Sequence, residues 1–311
     1  AALVELLGGG EQGQSVLNVV ANEEGFYDDE SGLIGAAGLS LKDEQVASCK
    51  EALKKEPDHV GLRALFLGWG WTHHYEAQDR AFYTDQILWF IRNRPEAPAA
   101  GGTYARFERM DAAGDFDRIG KAWLGAAKEN PKSARTRGRA AFFLGTDDVA
   151  AADRLLREAR ALEPQNLEWI KKLAKLYQDA AARAGHGETK KDLASKAVRI
   201  WEEALAAATE GRFEILTHLA SSAFERGDGE ALDRWTKEIL DKASYVKSSE
   251  SAPAIHGALT LQGRLALSRG DAGGASRFLL MSLDLPPGTK MSGNGPNPAL
   301  ARDLLIRGLA G

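Results

Sequence analysis

A chain of 311 residues with 44% hydrophobic and 27% charged side chains carries enough apolar material for a sizeable core and has the composition of a folded protein. Its 40 basic against 44 acidic residues, a net charge of −4, exclude a global attraction to nucleic acid or to anionic membrane, so the partners expected on charge contain no nucleic acid. A single cysteine, Cys49, excludes an intramolecular disulfide and a cysteine-built zinc site, and no apolar run approaches the ~20 residues that cross a bilayer, which excludes direct membrane insertion.

Residues 1–40 read as a glycine-rich arm. Gly8 to Gly10, the acidic Asp28, Asp29 and Glu30, and the small residues Gly35 to Gly38 leave only short apolar pieces, and glycine at this density opposes helix propagation. The glycine trio lacks the lysine and hydroxyl residue of a phosphate loop. The chain opens with Ala1, which leaves open whether a leader was removed; the cytoplasm is the default location, with an exported mature protein not excluded.

From Lys42 onward the pattern is helix after helix. Asp43 is an expected N-cap for a helix to about Glu56, with Cys49 on its apolar face beside Val46 and Leu53. Pro57 ends it, and Leu62, Leu65, Phe66 and Trp69 mark one side of the next helix. A third helix carries Phe82, Tyr83, Ile87, Phe90 and Ile91 and stops at Pro95, and the stretch Pro95 to Gly102 reads as an internal loop. In the middle of the chain Ala140, Phe143, Ala152, Leu156, Ala159 and Pro164 are followed at similar spacing by Ile170, Leu173, Ala174 and Tyr177. Small residues recur where two helices must approach, large ones where they interlock, and proline where the second helix ends.

Pro57, Pro95, Pro131 and Pro164 fall 33 to 38 residues apart, close to the ~34-residue tetratricopeptide period. The next unit adds roughly eleven residues around Gly185 to Gly187 before resuming with Ala197, Trp201 and Ala204, a longer hairpin than the repeat requires. Leu219 and Ala220 against Ala231 and Trp235 form another, and Gly263, Ala275, Leu279 and Ser282 a last one, with turns at Gly227-Asp228 and Gly270-Asp271. A polar loop through Gly293 to Pro298 precedes a final helix from about Ala299 to Gly308, expected to cap the array.

These residues, over most of Asp43 to Pro287, resemble the tetratricopeptide-repeat family. The stretches His59 to Pro95, Glu163 to Tyr177 (Pro164, Asn166, Trp169) and Ile255 to Leu304 (His256, Gly263, Arg264, Gly270, Asp271) are also similar to a set of uncharacterised bacterial proteins with atypical repeats. The resemblance implies an all-α fold, an α-solenoid of about six or seven stacked antiparallel hairpins in a right-handed superhelix, and a scaffolding role; it brings no established reaction. The organisation expected is an arm (1–40), a repeat array (41–290) and a polar loop with capping helix (291–311). Departures stand at Arg139, where a buried leucine is usual, and at the insertion near His186.

On the repeat register Arg137, Lys171, Lys175 and Arg264 fall on or near groove-facing positions, a row of cations suited to a protein or peptide partner and to an acidic one in particular. The alternative is that they are solvated charges paired with Glu168 or Asp179 on the helix surface. His73 and His74, near Glu76 and Asp79, lack the i, i+4 spacing that holds zinc on one helix face. His218 and His256 sit on different helices with no triad pattern, and no nucleophile elbow or dinucleotide fingerprint is present. No catalytic residue, metal or cofactor is assigned. The function expected is a non-enzymatic binding scaffold, with a subunit of a homo- or hetero-oligomeric assembly, self-assembly included, as the alternative and a metal-dependent enzyme or an RNA-binding helical repeat behind it.

Overall fold

A computed structural model describes residues 35–245, 251–284 and 297–307, and among the described residues there is no strand. Fourteen helices are named here: α1 (Asp43–Lys55), α2 (Val60–His73), α3 (Ala77–Asn93), α4 (Pro98–Gly101), α5 (Ala113–Glu129), α6 (Ala134–Leu144), α7 (Val149–Leu162), α8 (Leu167–Arg183), α9 (Glu188–Ala207), α10 (Arg212–Glu225), α11 (Gly229–Tyr245), α12 (Ser251–Ser268), α13 (Ala272–Leu283) and α14 (Ala299–Ile306). A 3-10 turn at Thr103–Ala105 follows α4. The expected arm lies outside the described residues except for 35–40, of which 35–39 are helical, and most of the polar loop before Asn297 lies outside them too. The chain divides into two compact units, Ala1–Pro164 and Gln165–Gly311.

Prolines punctuate the first unit as the sequence implies. Helices α1, α3, α5 and α7 end two residues before Pro57, Pro95, Pro131 and Pro164, because the residue ahead of a proline is driven out of helical backbone; Glu56, Arg94, Asn130 and Glu163 all lie outside it. Starts are capped by side chains: the Thr136 N–H donates to Ser133 Oγ at 3.0 Å and Ala151 N–H to Asp148 Oδ1 at 3.0 Å. For α1 the cap is Lys42, so Asp43 is the first helical residue rather than the cap.

Complete hairpins form from α2 with α3 and α6 with α7 in the first unit, and from α8 with α9, α10 with α11 and α12 with α13 in the second. Between α3 and α5 the expected loop is instead α4 and the 3-10 turn, which touch α2 and α6. They occupy the place of a leading helix shortened to a few residues. The insertion near His186 goes into helix: α8 and α9 have 17 and 20 residues and only 184–187 join them.

Small residues set the spacing. Ala140, Ala152 and Ala159 are fully buried at the α6/α7 seam with Leu156 beside them. A Cβ on Gly68 would lie 1.8 Å from the Gly35 carbonyl oxygen, so α2 and the helical turn at 35–39 meet backbone to backbone. Around these seams the first unit buries Phe66, Tyr83, Ile87, Phe90, Ile119 and Trp123, and the second packs Trp201, Leu216, Leu219, Leu232 and Ile239 into one cluster. Each such side chain contributes about 1.5–3 kcal/mol on burial. Leu300 and Leu304 of α14 pack against Leu267 and Ala275.

Three arginines recur in one structural role. Arg63 donates to the Pro57 carbonyl at 2.7 Å and to Gln86 Oε1 of α3 at 2.7 Å. Arg137 donates to the Asn130 and Ser133 carbonyls at 2.9 and 3.1 Å and to Glu158 Oε2 of α7 at 2.9 Å. Arg212 donates to the Leu205 and Ala208 carbonyls at 2.8 and 3.0 Å and to Glu238 Oε1 of α11 at 3.2 Å. Each leading helix thereby meets the open carbonyls behind it and ties to its hairpin partner. Arg139 does related work, donating to the Pro95 and Ala97 carbonyls ahead of α4, which is why a charged side chain stands where leucine is usual.

Two contrasts test this packing by chemical denaturation. Gly68→Ala forces backbone against backbone and is expected to cost about 1–3 kcal/mol, whereas Gly125→Ala, mid-helix with nothing near its Cβ position, is expected to gain about 0.5–1 kcal/mol. Arg137→Met, which removes three hydrogen bonds while Asn130 O keeps the Ser133 N–H, Ser133 O the backbone N–H of residue 137 and Glu158 the nearby Arg154, is expected to cost about 1–2 kcal/mol; an unchanged midpoint would show that the clamp contributes nothing.

Candidate functional site

In the second unit α8 and α10 are both leading helices, and the two lysines singled out from the sequence lie on α8. Lys171 Nζ sits 2.7 Å from Glu168 Oε1 on its own helix and 2.7 Å from Glu214 Oε2 on α10. Burial pulls the Lys171 ammonium down, and its hydrogen bonds to Glu168 and Glu214 outweigh it, leaving the group above its ordinary range. Lys175 pairs with Asp179 at 2.5 Å. These two cations therefore stand in a row with three carboxylates, and the strip is of mixed sign.

At its centre lies a residue the sequence does not single out for binding. The His218 ring of α10 stacks flat on Trp201 of α9, centroids 4.3 Å apart and planes at 7°. Burial holds the imidazole below its ordinary range; Glu214 and Asp179 act to raise it, Lys175 and Lys171 to lower it. The Trp201 indole N–H in turn points to Gln178 Oε1 at 3.4 Å. The result is a half-buried imidazole backed by a buried indole and flanked by charges of both signs. No spacing rule foretells it, since the stacked pair comes from two different helices.

The other two predicted residues serve elsewhere. Arg137, 9% exposed, belongs to the first unit, where its donors are spent on the clamp described above. Arg264 of α12 donates to Asp303 Oδ2 of α14 at 2.7 Å and lies over the Phe224 ring at 4.8 Å, joining the cap helix to the stack. The structure thus brings Lys171 and Lys175 together and places Arg264 at the far end of the same unit's helix series.

His73, His74 and His256 make structural contacts. His73 Nδ1 lies 2.8 Å from the Trp69 carbonyl and its ring stacks on Trp69 at 4.7 Å. His74, 5% exposed, is sandwiched by Tyr75 and Tyr83, with Nε2 3.7 Å from Asp111 Oδ1. Tyr83 is fully buried and its hydroxyl donates across the Tyr104 and Arg106 carbonyls at 2.8 and 3.1 Å; burial and the Asp111 charge hold its phenol protonated far above the ordinary range. His256 is buried with Nδ1 2.9 Å from the Ser282 carbonyl, while Nε2 accepts the Asn297 N–H at 2.9 Å, which makes Nδ1 the protonated nitrogen. Among the described residues no group of three His, Cys, Asp or Glu is placed to hold a metal ion, and no helix is long and apolar enough to cross a membrane.

Concavities among the described residues of the first unit include the following two. A cleft of about 480 Å³ between α1 and α3 is lined by Lys50, Leu53, Pro57, Asp79 and Phe82, and Lys50 Nζ lies 4.7 Å from the centroids of both Trp69 and Phe82. A hollow of about 310 Å³ opens where the leading helix is shortened, with Ala64, Leu67 and Ala99 below and Tyr104 and Phe142 at its sides.

No protein-family model matches the chain, and no curated protein matches it. Among solved structures it is similar to a thermophilic TPR protein of Thermus thermophilus, TTC0263, at 18% identity and a TM-score of 0.41 over 63% of this chain and 94% of that one. It is also similar to the human IFIT1 dimer with PPP-AAAA, at 14% identity and a TM-score of 0.47 over 96% of this chain and 71% of that one. At these levels the likenesses carry no argument about a ligand of this chain, and its all-helical hairpin architecture stands on its own packing. One expectation is corrected. The exclusion of nucleic acid rested on net charge, a sum over the whole surface that is blind to local patches and so excludes no class of partner, and one of the similar structures was determined with PPP-AAAA.

Proposed function

We propose that this chain is a non-enzymatic helical-repeat scaffold and that the α8/α10 face takes an extended protein or peptide segment. The observation that carries this reading is Lys171, held between carboxylates of two successive leading helices at 2.7 Å each. Its ammonium is fixed before a partner arrives, so the ordering cost of binding falls on the partner alone. The mixed-sign row, with Lys175–Asp179 alongside, matches a segment that presents alternating donors and acceptors, and the half-buried His218 ring, backed by the buried Trp201, supplies a flat surface between them. Selectivity then comes from the charge pattern, since either sign in the wrong place leaves a half-buried charge unpaired.

A photo-crosslinking residue at Thr217, beside His218, is expected to capture a partner from native lysate, and the capture to be lost in a Lys171→Glu/Lys175→Glu variant of unchanged helicity. Capture only from a crosslinker at Glu203 on α9, undiminished by that variant, would sink the assignment. The depressed His218 pKa gives a second expectation. The unfolded imidazole titrates near ~6.5, so the unfolded state binds more protons below that pH and the His218 contribution, complete above it, is lost as pH falls toward the lower folded value. Denaturation midpoints at neutral and mildly acid pH are expected to fall further for wild type than for His218→Gln; equal falls would show that His218 plays no part.

A further inference from the structure

The charged row on α8 and α10 is not balanced. Glu168, Asp179 and Glu214 set three carboxylates against the two ammonium groups of Lys171 and Lys175, which leaves one negative charge unanswered. Resting on the reading of this face as a binding surface, we infer that the protein segment it takes carries an arginine, whose guanidinium lies on the His218 ring and donates to Glu214 and Asp179.

Open acceptors call for a cation. Lys171 engages Glu214 through Oε2 and Lys175 engages Asp179 through Oδ1, so Glu214 Oε1 and Asp179 Oδ2 are left without a donor among the described residues. A carboxylate has room for about four hydrogen bonds, and neither lysine has to leave for a guest to bind. Exposure runs the same way. The Lys171 side chain is 19% exposed, whereas those of Glu214 and Asp179 are 50% and 47% exposed, so a guest meets the acids before it meets that ammonium. Lys175, half exposed beside Asp179, is left to donate to main-chain carbonyls of the same segment.

Shape selects arginine over lysine. His218 lies one turn after Glu214 on α10, and its half-buried ring is backed by Trp201 with planes 7° apart. A planar guanidinium stacks on such a ring and holds five N–H donors in a fixed fork, enough to serve two carboxylates at once; an ammonium has three donors and no plane to stack. The ring has to be neutral for this contact. Burial holds the imidazole below its ordinary range; of the charges facing it, Glu214 on α10 and Asp179 on α8 act to raise it, Lys175 and Lys171 on α8 to lower it, and α9 presents the uncharged Trp201. At neutral pH the imidazole is uncharged, and a proton added in mild acid sets one cation against another.

The test titrates the full chain by saturation-transfer NMR with the capped peptide acetyl-Gly-Ser-Arg-Ser-Gly-amide and its citrulline and Lys counterparts. The Arg peptide is expected to bind with an affinity of order 1 mM, about tenfold more tightly than the citrulline peptide, which keeps the shape and loses the charge, and about threefold more tightly than the Lys peptide. Glu214→Gln and Asp179→Asn, both at half-exposed positions, are each expected to weaken it about fivefold with helicity unchanged, and Glu168→Gln, about three turns before Asp179 on α8, by less than about twofold. Affinity is expected to fall about threefold from neutral to mildly acid pH in the wild type and to stay level in His218→Gln. Equal binding of the Arg and citrulline peptides, equal losses in the three carboxylate variants, or the same pH dependence with and without His218 would overturn the arginine site. Thr217→Trp, which fills the face beside His218, separates this result from the reading beneath it. Loss of both peptides in that variant, with no preference for Arg in the wild type, would leave the α8/α10 face standing without the arginine, whereas undiminished binding of the Arg peptide would sink both. A short single-stranded RNA that displaces the Arg peptide at equal concentration would overturn the choice of a protein segment over nucleic acid.

Discussion

Helices can stack only as closely as their smallest facing residues allow, and this chain is built on that limit. At Gly68 two backbones are in contact, at Ala140, Ala152 and Ala159 a methyl group is all that separates two helices, and Gly263 leaves room for the Leu300 side chain of the cap helix. Once backbones are this near, the large residues on either side interlock, and burial of Phe66, Trp123 or Trp201 follows from the seam rather than creating it. The arginine clamps are a second tie. Arg63, Arg137 and Arg212 each add donors to carbonyls of the segment just before their own helix, tying successive helices end to end.

What the sequence reveals of this follows from how local each signal is. Prolines act on the residue just before them, so helix ends at Pro57, Pro95, Pro131 and Pro164 are legible without any tertiary knowledge. Small-residue periodicity belongs to single helices and is equally plain. The clamps are not legible, because an arginine on a helix reads the same whether it points to solvent or to carbonyls of the preceding helix, and Arg137 is the clearest instance. The shortened leading helix is hidden for a related reason: Pro98 to Gly101 has the composition of a loop, and its four-residue helix is held between α3 and α6.

The candidate face shows the same division. Lys171 and Lys175 are readable as a pair on one helix face, four residues apart. Their electrostatic meaning is not, since Glu214 arrives from a helix some forty positions along the chain and turns a cationic row into a mixed one. Likewise His218 reads as an isolated histidine until Trp201 is placed beneath it. A net charge of −4 conceals all of this, which is why it decides so little about partners.

The shortened helix between α2 and α6 also bears on how the first unit opens. A stack of repeats behaves as a one-dimensional lattice in which each unit is held by its nearest neighbours, and its stability is a sum of such couplings. Here the tie from α2 and α3 onward is shared between α3 packed on α5 and the short α4 with its 3-10 turn packed on α2, α3 and α6. Because α3 and α5 hold each other directly, α4 and its turn form a piece small enough to open by itself, and its amide hydrogens exchange through that local opening rather than with the helices around it.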